Sequence, residues 1–503
     1  MSESKDTSQP SDLADLKRRS VSGGVVVLIA QVINIGIQLV STIVLSRLLT
    51  PNDYGVMAMV MSITAFAGLF RDMGLSSATI QRPNLTEAQQ SNLFWVNVAM
   101  GTLLTATICA LSPAVAWFYQ RPEILSVMMA SSGVFMLGSL STQHGARLIR
   151  SLKFGRHALA GIAGGLVGLG TSIILAIKGY SYWSLVSGNL LSGFTTTILI
   201  FTFAPFLPSL PRRGTGVKEI LMFGANVTAF DFINYFHRNL DKILIGRFDG
   251  PEPLGLYNRA YSLLMLPINS IRGPINSIGF PAMSQLSREP EAFRAYYIKI
   301  TNLLALLSMP LMAFLLLTSD SVIEVALGKK WLEIVPIFSI LATVGFVQPV
   351  VTHWGIVVLS LGMGSRYLSL GIVTTVSSGL GFLVGLPWGP VGVAVGYAAS
   401  TYIVAIPTLI WAFRDTPIHL RDFFLAVGRP ALASIIVCSI GFLFKPSSSA
   451  LSHIYQLLIV GPIFGISYLT ILRLLPGGHS DFVFVGDLIR TLIGSIKKPS
   501  SSL

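Results

Sequence analysis

Polar residues are sparse along this chain, and they fall at intervals that divide it into long apolar runs. A helix that crosses a bilayer needs about 20 mostly apolar residues. On that measure the pattern predicts helices near 23–46, 54–74, 92–119, 124–143, 158–177 and 181–204. Six more follow near 219–246, 256–276, 299–318, 333–360, 367–387 and 391–413, and a last pair near 424–444 and 454–475. The expected architecture is therefore an all-α polytopic membrane protein with about fourteen transmembrane helices. Residues 1–20 read as a disordered cytoplasmic tail and 476–503 as a second tail.

The pattern also repeats. Arg47, Pro51 and Gly55 are answered about 200 positions later by Arg247, Pro251 and Gly255. Glu123, Thr142, Gly145, Arg156, Gly161, Ile162 and Gly179 find counterparts in Glu333, Thr352, Gly355, Arg366, Gly371, Ile372 and Gly389. Each identity is weak alone, but the register holds through the series. Two six-helix repeats follow, an N-lobe at 21–206 and a C-lobe at 219–413, joined by a cytoplasmic linker at 207–218. An even number of helices per repeat makes them parallel, related by an axis along the membrane normal. The helices over 424–475 stand outside the repeat.

Composition agrees with a membrane protein. The 503 residues are 52% hydrophobic and only 11% charged, with a mean hydropathy of +0.69. Soluble domains carry about 25% charged residues. The net charge of +13 sits in short loops, not in one patch, which excludes nucleic acid as the partner. Alternate loops hold roughly 25 basic residues against about seven on the opposite side, so the positive-inside rule places both termini in the cytoplasm. Cys109 and Cys438 lie in apolar runs and make no disulfide framework. The first apolar run is too long for a cleavable signal peptide. There is no Walker lysine, HExxH or nucleophile elbow, so neither ATP hydrolysis nor catalysis is expected.

One stretch breaks the apolar rule. In the seventh helix Asp231, Asn234, Arg238, Asp241 and Lys242 recur at i, i+3, i+7, i+10 and i+11, which places them along one helix face. A charge at the bilayer centre costs at least ~2.5–3.5 kcal/mol, so that face must look into protein or water. The charges either neutralise one another, Arg238 reaching Asp241, or line a lumen. His237, just off the stripe, reads as a packing residue. The matching face of the first helix carries Gln31, Asn34, Gln38 and Ser41, which serve either interhelical hydrogen bonds or the same lumen. Arg47 and Arg247 are expected to anchor helix ends. Arg259, Arg71 and Arg272 extend a cationic track, although Arg71 has Asp72 beside it and could pair there. Surplus arginine suits an anionic substrate, because guanidinium meets phosphate oxygens two at a time. The glycines at 161, 164, 165, 168 and 170, and at 379, 381 and 385, are expected to permit close helix packing.

The segments SRLLTPNDYGVMAMV at 46–60, GLSSATIQRPNLT at 74–86 and GRFDGPEPLGLYNRAY at 246–261 carry a family resemblance. The chain resembles the polysaccharide transporter (Wzx-type) branch of the multidrug/oligosaccharidyl-lipid/polysaccharide flippase superfamily, near the colanic-acid and succinoglycan exporters. The resemblance implies two lobes around a cationic central cavity. It implies a substrate too: an undecaprenyl-pyrophosphate-linked oligosaccharide turned across the bacterial inner membrane for exopolysaccharide, capsule or lipopolysaccharide synthesis. Arg238, Lys242 and Arg259 fall where such a cavity binds pyrophosphate or acidic sugars. No bound cofactor is implied, coupling to Na+ or H+ stays open, and a polysaccharide polymerase and co-polymerase are candidate partners alongside membrane lipid. The alternatives are an ion-coupled cation antiporter of the same superfamily and a membrane glycan polymerase or ligase. Arg238→Ala is expected to lower glycan flipping in membranes carrying the variant; unchanged flipping removes that residue from the mechanism.

Overall fold

The computed structural model describes residues 10–72, 74–81, 85–212, 235, 239–444 and 453–478. Every regular element among them is helical. The chain divides into two compact units, Met1–Gly255 and Leu256–Leu503.

The first unit starts with α1 (Pro10–Leu48). It begins well before the expected residue 23, so the backbone of the presumed tail is helical from Pro10 onward. Leu13, Ala14, Leu16, Lys17, Arg18 and Arg19 are strong helix formers, and Pro is tolerated in a first turn. α2 (Pro51–Asp72) is started by a reciprocal cap: Thr50 N donates to Asp53 Oδ2 at 2.8 Å, and Asp53 N to Thr50 Oγ1 at 3.3 Å. Ser181 also donates to Asp53, on its other carboxylate oxygen. After the short α3 (Leu75–Gln81), α4 (Glu87–Tyr119) opens on a capping box at Thr86 and Gln89, five residues ahead of its expected start. α5 (Glu123–Arg150), α6 (Phe154–Ile177) and α7 (Trp183–Phe203) complete the bundle. The chain then runs without regular structure over 207–212, tied to α4. Asn92 Nδ2 donates to Arg212 O at 2.6 Å, and Trp95 Nε1 donates to Ser209 O at 2.9 Å. Residues 239–248 form α8.

α9 (Pro251–Gln285) leads into the second unit and carries three internal prolines, Pro267, Pro274 and Pro281. It is followed by α10 (Pro290–Leu317), α11 (Ser319–Ala326), α12 (Val335–Val351), α13 (Trp354–Ser360), α14 (Gly364–Gly385), α15 (Gly389–Phe413), α16 (Leu420–Leu443) and α17 (His453–Leu474). The helix expected over 333–360 is therefore divided. Between α12 and α13 the ladder tightens to i→i+3 bonds, His353 N to Val350 O and Gly355 N to Thr352 O, just past Pro349.

Eleven helical stretches among the described residues are long and apolar enough to cross a membrane, and one of them, Gly364–Phe413, is the pair α14 and α15. The expected seventh helix falls mostly outside the described residues. The expected eighth is α9, whose prolines, Arg259 and Arg272 leave it less apolar than the eleven. The chain is a multi-pass membrane protein.

Glycine sets the closest approaches. In the first unit a Cβ at Gly168 would lie 2.7 Å from Gly188 O across the α6–α7 contact, and one at Gly164 would overlap Thr196. In the second, Cβ atoms at Gly381 and Gly385 would overlap the carbonyls of Gly396 and Gly392 on α15. Gly161, Gly170 and Gly371 meet nothing within 4 Å. The expected close packing thus holds for particular glycines and not for the whole series. The repeat signature also has a structural use. Within the first unit, a Cβ at Gly55 would overlap Pro251 O and one at Gly255 would overlap Pro51 O, so each copy admits the other.

In the second unit α16 is fastened to α10 by an ion pair. Arg294 Nε donates to Asp422 Oδ2 at 2.8 Å and Nη2 to Oδ1 at 2.6 Å, with Asp422 fully buried. Overpacking a backbone contact costs about 1–3 kcal/mol or more. Gly381→Val should therefore deplete the monodisperse peak in size-exclusion chromatography of the detergent-purified protein, whereas Gly371→Val should leave it intact. Equal behaviour of the two variants would contradict the packing account.

Candidate functional site

α8 is wedged into the first unit. Gly246 lies against Tyr119 of α4 and Met59 of α2, with Cβ clearances of 3.0 and 3.2 Å. Tyr235, one turn before the helix, is 6% exposed and meets the Phe66 ring edge-on at 5.1 Å. Tyr119 in turn shares a 3.1 Å hydrogen bond with Ser62. This packing separates two residues that share the predicted stripe. Asp241 is 3% exposed and its Oδ1 accepts from Lys242 N at 2.8 Å. Lys242 is half-buried, with Nζ 3.5 Å from Asn239 Oδ1. Neighbouring positions on a helix point about 100° apart, so the carboxylate turns into the unit while the Lys242 side chain leaves the helix in another direction. Asp231, Asn234 and Arg238 lie outside the described residues.

On α1, Gln31, Asn34 and Gln38 are exposed on the first unit, while Ala30 is 7% exposed. The helix leans on α6, where Ile37 approaches Gly165. Arg259 belongs to α9 in the second unit and is half-buried. The Arg247 guanidinium lies over the rings of Phe118 and Phe248, 5.7 and 5.6 Å from their centroids. In the turn that follows, Asp249 is partly buried, and burial pushes its carboxyl above the usual carboxylate range.

The Arg71–Asp72 pair does not form. Asp72 Oδ1 accepts instead from Ser76 N at 3.1 Å and Ser76 Oγ at 2.8 Å, capping α3. Arg71 turns the other way, onto Gly138 of α5. Adjacent residues on a helix do not face each other, which sequence adjacency alone conceals.

Several polar groups were not legible as partners. Thr79 donates to Gln143 at 2.8 Å and Gln143 donates to Asn97 at 2.8 Å, all three fully buried in the first unit. In the second, Ser321 meets His453 Nδ1 at 3.1 Å and Gln456 at 2.7 Å, while His453 Nε2 lies 3.1 Å from Glu324. These partners are far apart in the chain, so no spacing could reveal them. Two cavities complete the picture. One of about 370 Å³ opens in the first unit beside Arg71 and His157. The other, about 610 Å³, is an apolar groove between α16 and α17 floored by Leu317. It can take hydrocarbon and offers no charge.

A helical membrane bundle with ionisable residues on its spans is the frame in which known proteins can be compared. Residues 44–336 match the family model described as "Polysaccharide biosynthesis protein". The chain belongs to that family. Among relatives, it is 30% identical over 328 residues to the teichuronic acid biosynthesis protein TuaB of Bacillus subtilis, covering 65% of this chain and 68% of that one. It is 26% identical to the lipopolysaccharide biosynthesis protein WzxC of Escherichia coli, over 67% of this chain and 68% of the relative. The succinoglycan biosynthesis transport protein ExoT of Rhizobium meliloti is 20% identical over 88% of this chain and 90% of its own length. In fold, this member of the polysaccharide biosynthesis family matches the lipid II flippase MurJ in an inward closed conformation. The TM-score is 0.72 at 13% identity, covering 93% of this chain and all of that one. An inward-facing multidrug resistance MATE transporter follows with a TM-score of 0.61 at 17% identity, over 77% of this chain and 94% of that one. The all-α polytopic membrane fold expected from the hydropathy pattern is the one observed.

If the polar face of α1 meets water, a cysteine at Asn34 should react with a water-soluble maleimide in membranes, while one at buried Ala30 should stay protected. Protection of both would assign the Gln31–Asn34–Gln38 face to lipid or to protein packing.

Proposed function

We propose that this protein is a flippase for a polyprenyl-pyrophosphate-linked oligosaccharide, acting by alternating access in the bacterial inner membrane. The product serves exopolysaccharide, capsule or lipopolysaccharide synthesis. One observation carries the reading: a member of the polysaccharide biosynthesis family has, over 93% of its length, the fold of a transporter named for flipping a lipid. The name of ExoT, a transport protein of succinoglycan biosynthesis, supports the same direction.

The physical task is to carry a glycan head through hydrocarbon. Each unpaired polar group of that head would cost several kcal/mol there, roughly 4–8 on a cyclohexane scale. The protein must therefore substitute its own donors and acceptors for water. Amide side chains such as Gln31, Asn34 and Gln38 both donate and accept, which suits sugar hydroxyls. Arg238, Lys242 and Arg259 supply positive charge for the pyrophosphate or for acidic sugars, Arg in bidentate form and Lys as a point charge. Asp231 and Asn234 complete the polar face, Asp241 is buried in the first unit, and the two carboxylates are candidate sites for a coupling Na+ or H+. The lipid tail stays in the bilayer throughout. Both termini are cytoplasmic in this reading, and a polymerase receives the flipped unit on the far side.

An ion-coupled antiporter for small cations is the second reading, supported by the MATE-like fold. Cationic side chains at Lys242 and Arg259 would repel such a substrate, which is why the glycan reading leads.

A charge-assisted hydrogen bond contributes about 1.5–3 kcal/mol, or roughly 10–100-fold in binding. Deletion of the gene should accumulate a lipid-linked oligosaccharide on the cytoplasmic leaflet. Lys242→Ala and Arg259→Ala should each restore export about tenfold less well than the wild type. Normal surface glycan in the deletion strain, together with altered resistance to cationic dyes, would decide for the antiporter.

A further inference from the structure

The 370 Å³ cavity of the first unit has an unusual wall. Arg71, in the last turn of α2, reaches into it and lies flat on α5, with Nη1 2.6 Å from where a Cβ of Gly138 would be. Only a residue without a side chain admits the guanidinium there. Its Nε is shielded from solvent and donates no hydrogen bond. Among the described residues Arg71 forms no ion pair at all, and the neighbouring Asp72 is committed to capping α3. Arginine does not shed its proton in proteins. An ionised group removed from water is costly unless something pairs with it. The cavity therefore holds a partly buried positive charge that no described carboxylate pairs.

The rest of the lining suggests which anion. Ser141 and Thr142 of α5, His157 of α6, and Thr196 of α7 all face the cavity. Ser141 and Thr142 now donate to Gly138 O, at 3.0 and 2.8 Å, and Thr196 makes only a long 3.4 Å bond to Ala160 O. Each hydroxyl can rotate toward a new acceptor. A planar fork plus several hydroxyls suits a tetrahedral oxyanion, which offers three or four acceptor oxygens. A carboxylate has two oxygens and would leave donors idle. Ala146 and Ile149 close the cavity near the end of α5, the end that carries Arg147 and Arg150. That is the face on which surplus basic charge gathers, where phosphate-bearing headgroups lie.

We propose that this cavity is a phosphate site, with Arg71 as its counter-cation. Two sources share that chemistry: the headgroup of a bilayer phospholipid, and the phosphate of a polyprenyl carrier. The proposal does not rest on the flippase reading.

The test uses the full-length protein purified in detergent, with dihexanoyl phosphatidylglycerol and geranyl pyrophosphate as probes in calorimetric titrations. Arg71→Gln removes the charge. Gly138→Ala keeps it but displaces the guanidinium. Both variants should weaken binding of at least one probe about tenfold or more. Weakening confined to geranyl pyrophosphate assigns the carrier. Weakening that includes phosphatidylglycerol assigns the membrane lipid. Affinity unchanged in both variants overturns the proposal, and so does a wild-type protein that binds neither probe, which keeps the test decisive if a variant fails to fold. Glycan flipping without Arg71-dependent binding would sink this site and leave the flippase reading standing. Arg71-dependent binding without flipping would do the reverse.

Discussion

Backbone meets backbone in this protein wherever a side chain has been removed to let it, and the bundles depend on those meetings. In hydrocarbon there is no hydrophobic drive between helices, because lipid tails are as apolar as leucine. Cohesion has to come from dispersion at close range and from polar contacts that lipid cannot offer. The α6–α7 contact at Gly164, Gly168 and Gly188 supplies the first kind in one unit, and Gly381, Gly385, Gly392 and Gly396 supply it in the other. The mutual fit of Gly55 with Pro251 and of Gly255 with Pro51 brings the same logic to the repeat signature. With these backbones held close, the side chains around them have little freedom left.

Polar contacts provide the rest. Asn97, Gln143 and Thr79 bond in a buried chain across three helices. Arg294 and Asp422 tie α10 to α16 through two short charge-assisted bonds. In such places a missing partner costs more than the bond contributes, since the orphaned group stays buried. That asymmetry makes Arg71 conspicuous. The same physics that pairs Asp422 leaves Arg71 with no carboxylate partner among the described residues.

Hydropathy was enough to read the class of the molecule and most of its helices, and glycine spacing anticipated part of the close packing. What it missed has local causes. α4 starts early because Thr86 and Gln89 form a capping box, a signal present in the sequence and outweighed by the polar residues that follow it. The stretch 333–360 reads as one helix because Pro349, Thr352 and His353 disturb the hydrogen-bond ladder without interrupting apolarity. The charged stripe was legible as a set of intervals, yet Asp241 and Lys242 part company once Tyr119, Met59 and Phe66 fix the rotation of α8. Arg71 looked paired because its neighbour is an aspartate. Only three-dimensional packing reveals that the two side chains leave the helix in different directions.

The prolines of α9 have a mechanical meaning. Pro267, Pro274 and Pro281 are spaced at sevens, and an α-helix drifts only about 20° per seven residues. The three missing N–H···O=C hydrogen bonds therefore line up along nearly one edge of the rod. A rod weakened at scattered angles would be limp in every direction. One weakened along a single edge behaves as a leaf spring, compliant about one axis and stiff about the axis at right angles to it. Bends at the three points add in the same sense and do not cancel. The sequence of α9 thus sets the direction in which this helix bends most easily.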